Sequence, residues 1–168
     1  MANSNESRPA AFENIQKPKP AQANTPPQST CIFCRIASGD SRAYKLYEGD
    51  SFIAILDAFP VTEGHALILP RKHYKTFFDV PSAEIPKIFE AARFVAGMQK
   101  KALSADGFNI ATAPSAIDHF HIHVVPRYDY DMMGPLADLD NKREMSPEKM
   151  KEIFGKLSAE IAKHSKPQ

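Results

Sequence analysis

The chain has no tryptophan, only two cysteines, and a net charge of just +1 over 168 residues. Cys31 and Cys34 stand three positions apart as "CIFC", too close to staple distant parts of a secreted fold, so a disulfide framework is excluded. The near balance of 21 basic and 20 acidic residues provides no cationic footprint for nucleic acid or an anionic membrane surface. A small molecule is the expected partner. No apolar run approaches the ~20 residues that cross a bilayer. The first residues lack the apolar core of a signal peptide, and Glu6 and Glu13 do not suit a transit peptide. A cytoplasmic location is expected, with the nucleus as the alternative.

What is present has globular composition, 43% hydrophobic and 24% charged, in a length that suits one domain. Prolines outnumber glycines 14 to 7, and many fall in the first thirty residues, where "KPKPAQANTPPQST" favours extended, solvated backbone. Residues 1–30 are therefore predicted to be a disordered tail and residues 31–168 the domain. "CIFCRIASGD" reads as a short helical turn, with Ile32, Phe33 and Ile36 spaced for one face and Gly39 as its stop. Two runs around "EGD" predict a hairpin of residues 44–48 and 51–57, and "HALILP" predicts a strand at 65–70. Between Pro81 and Ala105, Ile85, Ile88, Phe89, Ala92, Val95 and Ala96 recur at helical spacing. Strands at 108–112 and 119–126 follow. A final helix opens on Ser146 as N-cap, with Pro147 at its first position and Glu148 in its first turn. There is no internal repeat. The fold class expected is α+β, a mainly antiparallel five-stranded sheet with one long helix and a C-terminal helix.

The stretch "DHFHIHVVPR", residues 118–127, carries three of the six histidines at alternate positions. Read as a strand, it puts His119, His121 and His123 on one face and Phe120, Ile122 and Val124 on the other, which must be buried. Same-face neighbours stand about 6.5–7 Å apart, close enough for three imidazoles to surround one small anion. Two chemistries compete, since imidazole binds zinc and a neutral imidazole is also a nucleophile and general base near neutral pH. Three residues in line on one strand converge awkwardly on a single metal. At most one or two of the three should ligate, leaving another for catalysis. "CIFC" likewise invites a metal or a redox reading. Thioredoxin-type pairs follow a strand, and none is evident before Cys31.

"HFHIHVV" resembles the histidine-triad signature, and "CIFCRI", "FIAILDAFPVTEGHALILPRKHY" and "HFHIHVVPRY" match in order a zinc-containing branch of that superfamily across residues 31–127. The resemblance implies a homodimeric nucleotidyl hydrolase or transferase acting at the α-phosphate of adenosine phosphoramidates, dinucleoside polyphosphates or aminoacyl adenylates. By motif position, His121 would be the nucleophile, forming a nucleotidyl-histidine that water then opens. His123 would bind a phosphate oxygen, and His65 would lie beside the nucleophile. Asp57 would hold both ribose hydroxyls, and Ile32, Phe33, Ile36 and Ile55 would wall the base. Cys31, Cys34, His73 and His119 would form a closed Cys₂His₂ set for a structural Zn²⁺. The pattern breaks before the triad. The family's Gly-Gln-Ser or Gly-Gln-Thr is replaced by Pro114, Ser115 and Ala116, in a shorter segment where Ser115 or Thr112 would have to cradle the phosphate. That break keeps a second reading open, a nucleotide-binding or scaffolding protein with little turnover. Residues 128–145 are expected to run near the mouth of the site or a partner subunit.

Overall fold

The computed structural model describes residues 30–113 and 117–164. The predicted tail therefore lies outside the described residues, apart from Thr30. A seven-residue helix α1 (Ile32–Ser38) ends at Gly39, whose φ of 95° is the left-handed conformation that glycine adopts freely. The hairpin follows as β1 (Lys45–Glu48) and β2 (Phe52–Leu56), then β3 (Ala66–Pro70). A single 3-10 turn at Phe77–Asp79 leads into the long helix α2 (Ile85–Leu103). β4 (Gly107–Ala111), β5 (Ile122–Arg127) and the terminal helix α3 (Pro147–His164) complete the domain. All four strand pairings are antiparallel, in the order β1-β2-β3-β5-β4, so β5 inserts between two strands that precede it in the chain. The α+β class and the five-stranded antiparallel sheet are as the sequence predicts.

The sheet is covered on both faces, which explains why "FIAIL" and "ALILP" are continuous apolar runs with every residue buried. On one face Phe52, Ala54, Leu56, Ala66, Ile68, Ile122 and Val124 pack against α2 and α3. On the other, Ile53, Ile55, Leu67 and Leu69 meet Phe33, Ile36 and Ala37 of α1. The second layer is the one that carries chemistry, because α1 lies over the same face as the histidines.

One prediction needs correction. The strand predicted from residue 119 begins at Ile122, so His119 and His121 precede it in irregular backbone. The cause lies in β3, which pairs with β5 only from Ala66 to Ile68 and ends on Pro70, a residue with no N–H to offer a ladder. The Pro70 carbonyl accepts from the His119 ring instead, at 3.0 Å, and the Phe120 N–H donates to the Tyr74 carbonyl at 2.6 Å. The alternation of faces survives the change. Phe120 still joins Ile122 and Val124 in the α2/α3 core, while His119 and His121 turn to α1. The histidine face is nonetheless buried as well, with His119 at 1% and His121 at 6% exposure.

Candidate functional site

The six-residue stretch Phe59–Gly64 between β2 and β3 sets the first half of the site. Gly64 has a φ of 82°, and a side chain there would run into Leu103 of α2. Buried Gln99 reaches from α2 to bond the Gly64 carbonyl at 2.8 Å. His65, the next residue, is thereby fixed at the head of β3 and is 2% exposed. Its ring takes the Val61 backbone N–H on Nδ1 at 3.3 Å. A backbone N–H is an unambiguous donor, so His65 Nδ1 carries the lone pair and Nε2 carries the proton. That proton faces His123 Nδ1 at 3.0 Å. His123 in turn is left with its proton on Nε2, as a donor directed away from His65.

His121 is set the opposite way. Its Nδ1 lies 2.8 Å from the His119 carbonyl, which can only accept, so the proton sits on Nδ1 and the Nε2 lone pair is free. The rings of His121 and His123 are 4.8 Å apart, and Phe33 packs edge-on against His121 at 5.1 Å. One free lone pair beside one free N–H is the arrangement that in-line attack on a phosphorus centre requires, with the N–H placed to bind a charged oxygen. Burial, followed by the neighbouring imidazoles, holds His65 down at about 3 and His123 at about 4. Burial also lowers His121, opposed by its bond to the His119 carbonyl and by the Asp57 charge. All three rings are accordingly neutral near pH 7.

A stability consequence follows for His65. Above an ordinary imidazole pKa of about 6.5, neither the folded nor the unfolded chain protonates it, whereas below that value only the unfolded chain does. Stability should therefore fall as pH drops from about 6.5 toward 3, by roughly 1–2 kcal/mol at pH 5 from this residue. Calorimetric scans at pH 7 and pH 5 should show a flatter dependence for His65→Gln than for wild type, and equal slopes would exclude a buried neutral imidazole here.

Asp57 follows β2 directly. Its backbone N–H donates to the His65 carbonyl and its Oδ1 accepts the Phe59 N–H, both at 2.9 Å. Oδ2 lies 3.5 Å from His65 Nδ1. Burial raises the Asp57 carboxyl, against the Phe59 hydrogen bond and the charges of His121 and Lys142. A cleft of about 810 Å³ opens beside it, lined by Ile36, Ile55 and Ala58 on one side and by Tyr44, Met145 and Met150 on the other. Ser41, Arg42 and Lys45 also line it, and its volume falls in the range of small-molecule sites. Ile36 and Ile55 line this cleft, and Phe33 lies against the rings of His119 and His121. Ile32 is 40% exposed and does not line this cleft. Thr112 is exposed, and Ser115 lies outside the described residues.

A second cluster lies at the other end of the triad. Cys34 Sγ is 3.1 Å from His73 Nδ1, while Cys31 and Cys34 Sγ are 3.4 and 3.5 Å from His119 Nδ1. All four donor atoms fall within 4.8 Å of one another. Two sulfurs and two imidazole nitrogens at these separations match the edges of a tetrahedron around a metal of Zn²⁺ size. His119 donates its remaining N–H to the Pro70 carbonyl, the outer bond that usually orients a ligating imidazole. Burial, then the Cys31 sulfur, pushes the Cys34 thiol up to about 11, so a reactive thiolate of the redox kind is disfavoured where no cation compensates it. The sequence reading that His119 parts company with the other two histidines agrees with these positions.

Residues that the sequence reading left without a role tie the following segment down. Arg127, the last residue of β5, forms a bidentate pair with Asp131 at 2.7 and 3.0 Å, and donates to Asn109 and to the carbonyls of Met133, Gly134 and Pro135. That Arg-to-Asp spacing of four was visible in "PRYDYD". Its partners across β4 were not.

A fold of this kind, with the His65–His123 pair at the start of β5 and a Cys/His cluster around His119 just before it, defines a histidine-triad protein. The HIT domain family matches residues 38–130, and the chain belongs to that family. An uncharacterized HIT-like protein of Saccharolobus solfataricus is 41% identical over 123 residues, covering 70% of this chain and 88% of that one. Adenylylsulfatase HINT3 of Arabidopsis thaliana is 36% identical over 111 residues, 63% of this chain and 56% of its own length. Among solved structures, a Zn-bound histidine triad family protein from Mycobacterium smegmatis superposes with a TM-score of 0.69 at 31% identity, covering 82% of this chain and 97% of that chain. No helix among the described residues is long and apolar enough to cross a membrane.

Proposed function

We propose that this protein hydrolyses or transfers nucleotides at the α-phosphate of nucleoside phosphoramidates or dinucleoside polyphosphates, through a nucleotidyl intermediate on His121. The observation that carries the reading is the tautomer of His121, fixed by the His119 carbonyl so that its Nε2 lone pair faces outward beside His123. In the first step Nε2 attacks phosphorus, the N–P bond forms, and the bond to the leaving group breaks. His123 Nε2–H, held in that tautomer by His65, binds a phosphate oxygen as charge builds on it. In the second step water displaces His121 and releases the nucleoside monophosphate. Asp57 accepts from the ribose hydroxyls, and the Ile36/Ile55 cleft takes the base. The relative named an adenylylsulfatase supports the choice of an adenylyl conjugate as substrate class.

Zn²⁺ is assigned to Cys31, Cys34, His73 and His119, where four protein ligands leave no open position and the metal cross-links α1 to the backbone that carries His121. A homodimer, located in the cytoplasm or the nucleus, is part of the same reading. β4 supports it as a sheet-edge strand with Ile110 43% exposed. The alternative of a binding module with little turnover rests on the sequence at Pro114–Ala116, which departs from the family's Gly-Gln-Ser or Gly-Gln-Thr and puts Ala116, with no side-chain donor, at its last position.

Intact-protein mass spectrometry, under a native-like quench after mixing with an adenosine phosphoramidate, tests the choice. The expected result is a transient gain of one AMP unit on His121, with free AMP accumulating. Bound nucleotide without adduct or AMP would favour the binding module.

A further inference from the structure

Helix α2 turns an apolar stripe to the sheet, and Ile88, Ala92 and Val95 are fully buried along it. The next position of that stripe is Gln99, which is 0% exposed. Periodicity calls for an apolar residue there. The amide instead lies between two backbone carbonyls, its Nε2 2.8 Å from the Gly64 oxygen and 3.4 Å from the Val124 oxygen. Both oxygens can only accept, so the NH₂ group must face them and Oε1 is turned away. Among the described residues Oε1 has no hydrogen-bond partner. A buried acceptor left unpaired costs free energy that offsets what the two donated bonds contribute. Methionine or leucine would fill the same space without that cost, so stability does not account for a glutamine at this position.

The two carbonyls do account for it. Gly64 immediately precedes His65, and Val124 immediately follows His123. Ala66 and Val124, paired across β3 and β5, belong to the α2 side of the sheet, whereas the next pair, Leu67 and His123, belongs to the α1 side together with His65. Gln99 therefore joins the two strands from behind at the place where His65 Nε2 meets His123 Nδ1 in front, at 3.0 Å. The β3–β5 register runs from Ala66 to Ile68, so Gly64 lies before it and Gln99 supplies a tie from Gly64 to β5. We propose that Gln99 is a positioning residue for nucleotidyl transfer: it sets His65 against His123 and so keeps the His123 Nε2–H directed at the phosphate oxygen. The inference rests on the nucleotide reading above. Gln99 itself touches no substrate, because the sheet lies between. Without its two N–H groups the Gly64–His65 peptide is free to turn, and the Val61 N–H, at 3.3 Å from His65 Nδ1, no longer selects the tautomer of the pair.

The test is Gln99→Met, which keeps the volume and removes both donors. Its melting temperature should stay within about 5 °C of wild type or rise above it. On an adenosine phosphoramidate, kcat should fall about 10–100-fold while KM changes by less than about 3-fold, the pattern of a displaced group that acts in the transition state. Nitrogen-15 spectra of histidine-labelled protein at pH 7 should show His65 and His123 as Nε2–H tautomers in wild type and as mixtures of both tautomers in the variant. A glutamine with a merely structural role gives a different pattern, a melting temperature lower by more than about 5 °C or a variant that does not fold, and that result would overturn the proposal. Unchanged tautomers or an unchanged kcat would overturn it too. Titration of wild type with AMP separates the two levels. AMP binding with no effect of Gln99→Met removes only this proposal, whereas absence of AMP binding and of turnover removes the nucleotide reading and this proposal with it. In a protein that binds AMP without turnover, the tautomer spectra and the melting temperature decide.

Discussion

His121→Asn is expected to abolish nucleotide release, by at least ~10⁴-fold in kcat, while the metal content and the fold stay intact. Asparagine keeps a side-chain N–H that can reach the His119 carbonyl, so the local backbone retains its partner. What it removes is the Nε2 lone pair, and no other group can replace it. His123 presents an N–H outward rather than a lone pair, because His65 occupies its other nitrogen, and His119 has both nitrogens committed, to Pro70 and to the cysteines. Single-turnover kinetics with an adenosine phosphoramidate, together with metal analysis of the same sample, provides the check. Turnover at the wild-type rate in this variant would sink the mechanism, whereas retained nucleotide affinity with lost turnover agrees with a residue that acts only in the chemical step.

The second large effect concerns stability. His73→Ala should lose the metal and lower the melting temperature by roughly 10–20 °C, corresponding to about 3–5 kcal/mol in a domain of this size. α1 is only seven residues long, too short to hold its own helix, and it covers its face of the sheet through few side chains. The Cys/His cluster joins it to the loop after β3, through His73, and to the segment before β5, through His119. Without the metal, two buried thiols and two buried imidazoles lose their shared partner, and one of those nitrogens, His73 Nε2, already lacks a hydrogen bond. Native mass spectrometry and differential scanning calorimetry on the same preparation read the two quantities together. Full zinc retention by His73→Ala would refute the ligand set. Because the His121 ring donates its Nδ1–H to the His119 carbonyl, the variant should lose activity as well, as a secondary effect of the loosened segment.

The parts of the site that were readable in the sequence share one property: they are set by local spacing. Alternation along residues 119–124 sorted Phe120, Ile122 and Val124 from the histidines even though the backbone there is not a regular strand up to Ile122, because the sorting depends on side-chain direction and not on a ladder bond. Helical periodicity located α2, and the N-cap and proline located the start of α3. The strand limit failed at His119 for a reason outside the segment, since Pro70 ends the partner strand and Tyr74 takes the Phe120 N–H.

By itself, then, the sequence determined the α+β class, the elements, and the residue types available for chemistry, because propensity and periodicity act over a few residues and leave a local record. Tertiary structure alone decided which of them meet. The order β1-β2-β3-β5-β4 brings His65 against His123, and with it the tautomer that frees the His123 N–H. Packing of α1 across the sheet brings Cys31 and Cys34 to His73 and His119. The Arg127–Asp131 pair anchors the segment after β5, which returns to the β2–β3 loop where the Arg143 N–H meets the Pro60 carbonyl. Each of these pairings joins residues far apart in the chain, and such contacts are fixed by the joint burial of two cores and the satisfaction of their polar groups, which no single segment encodes.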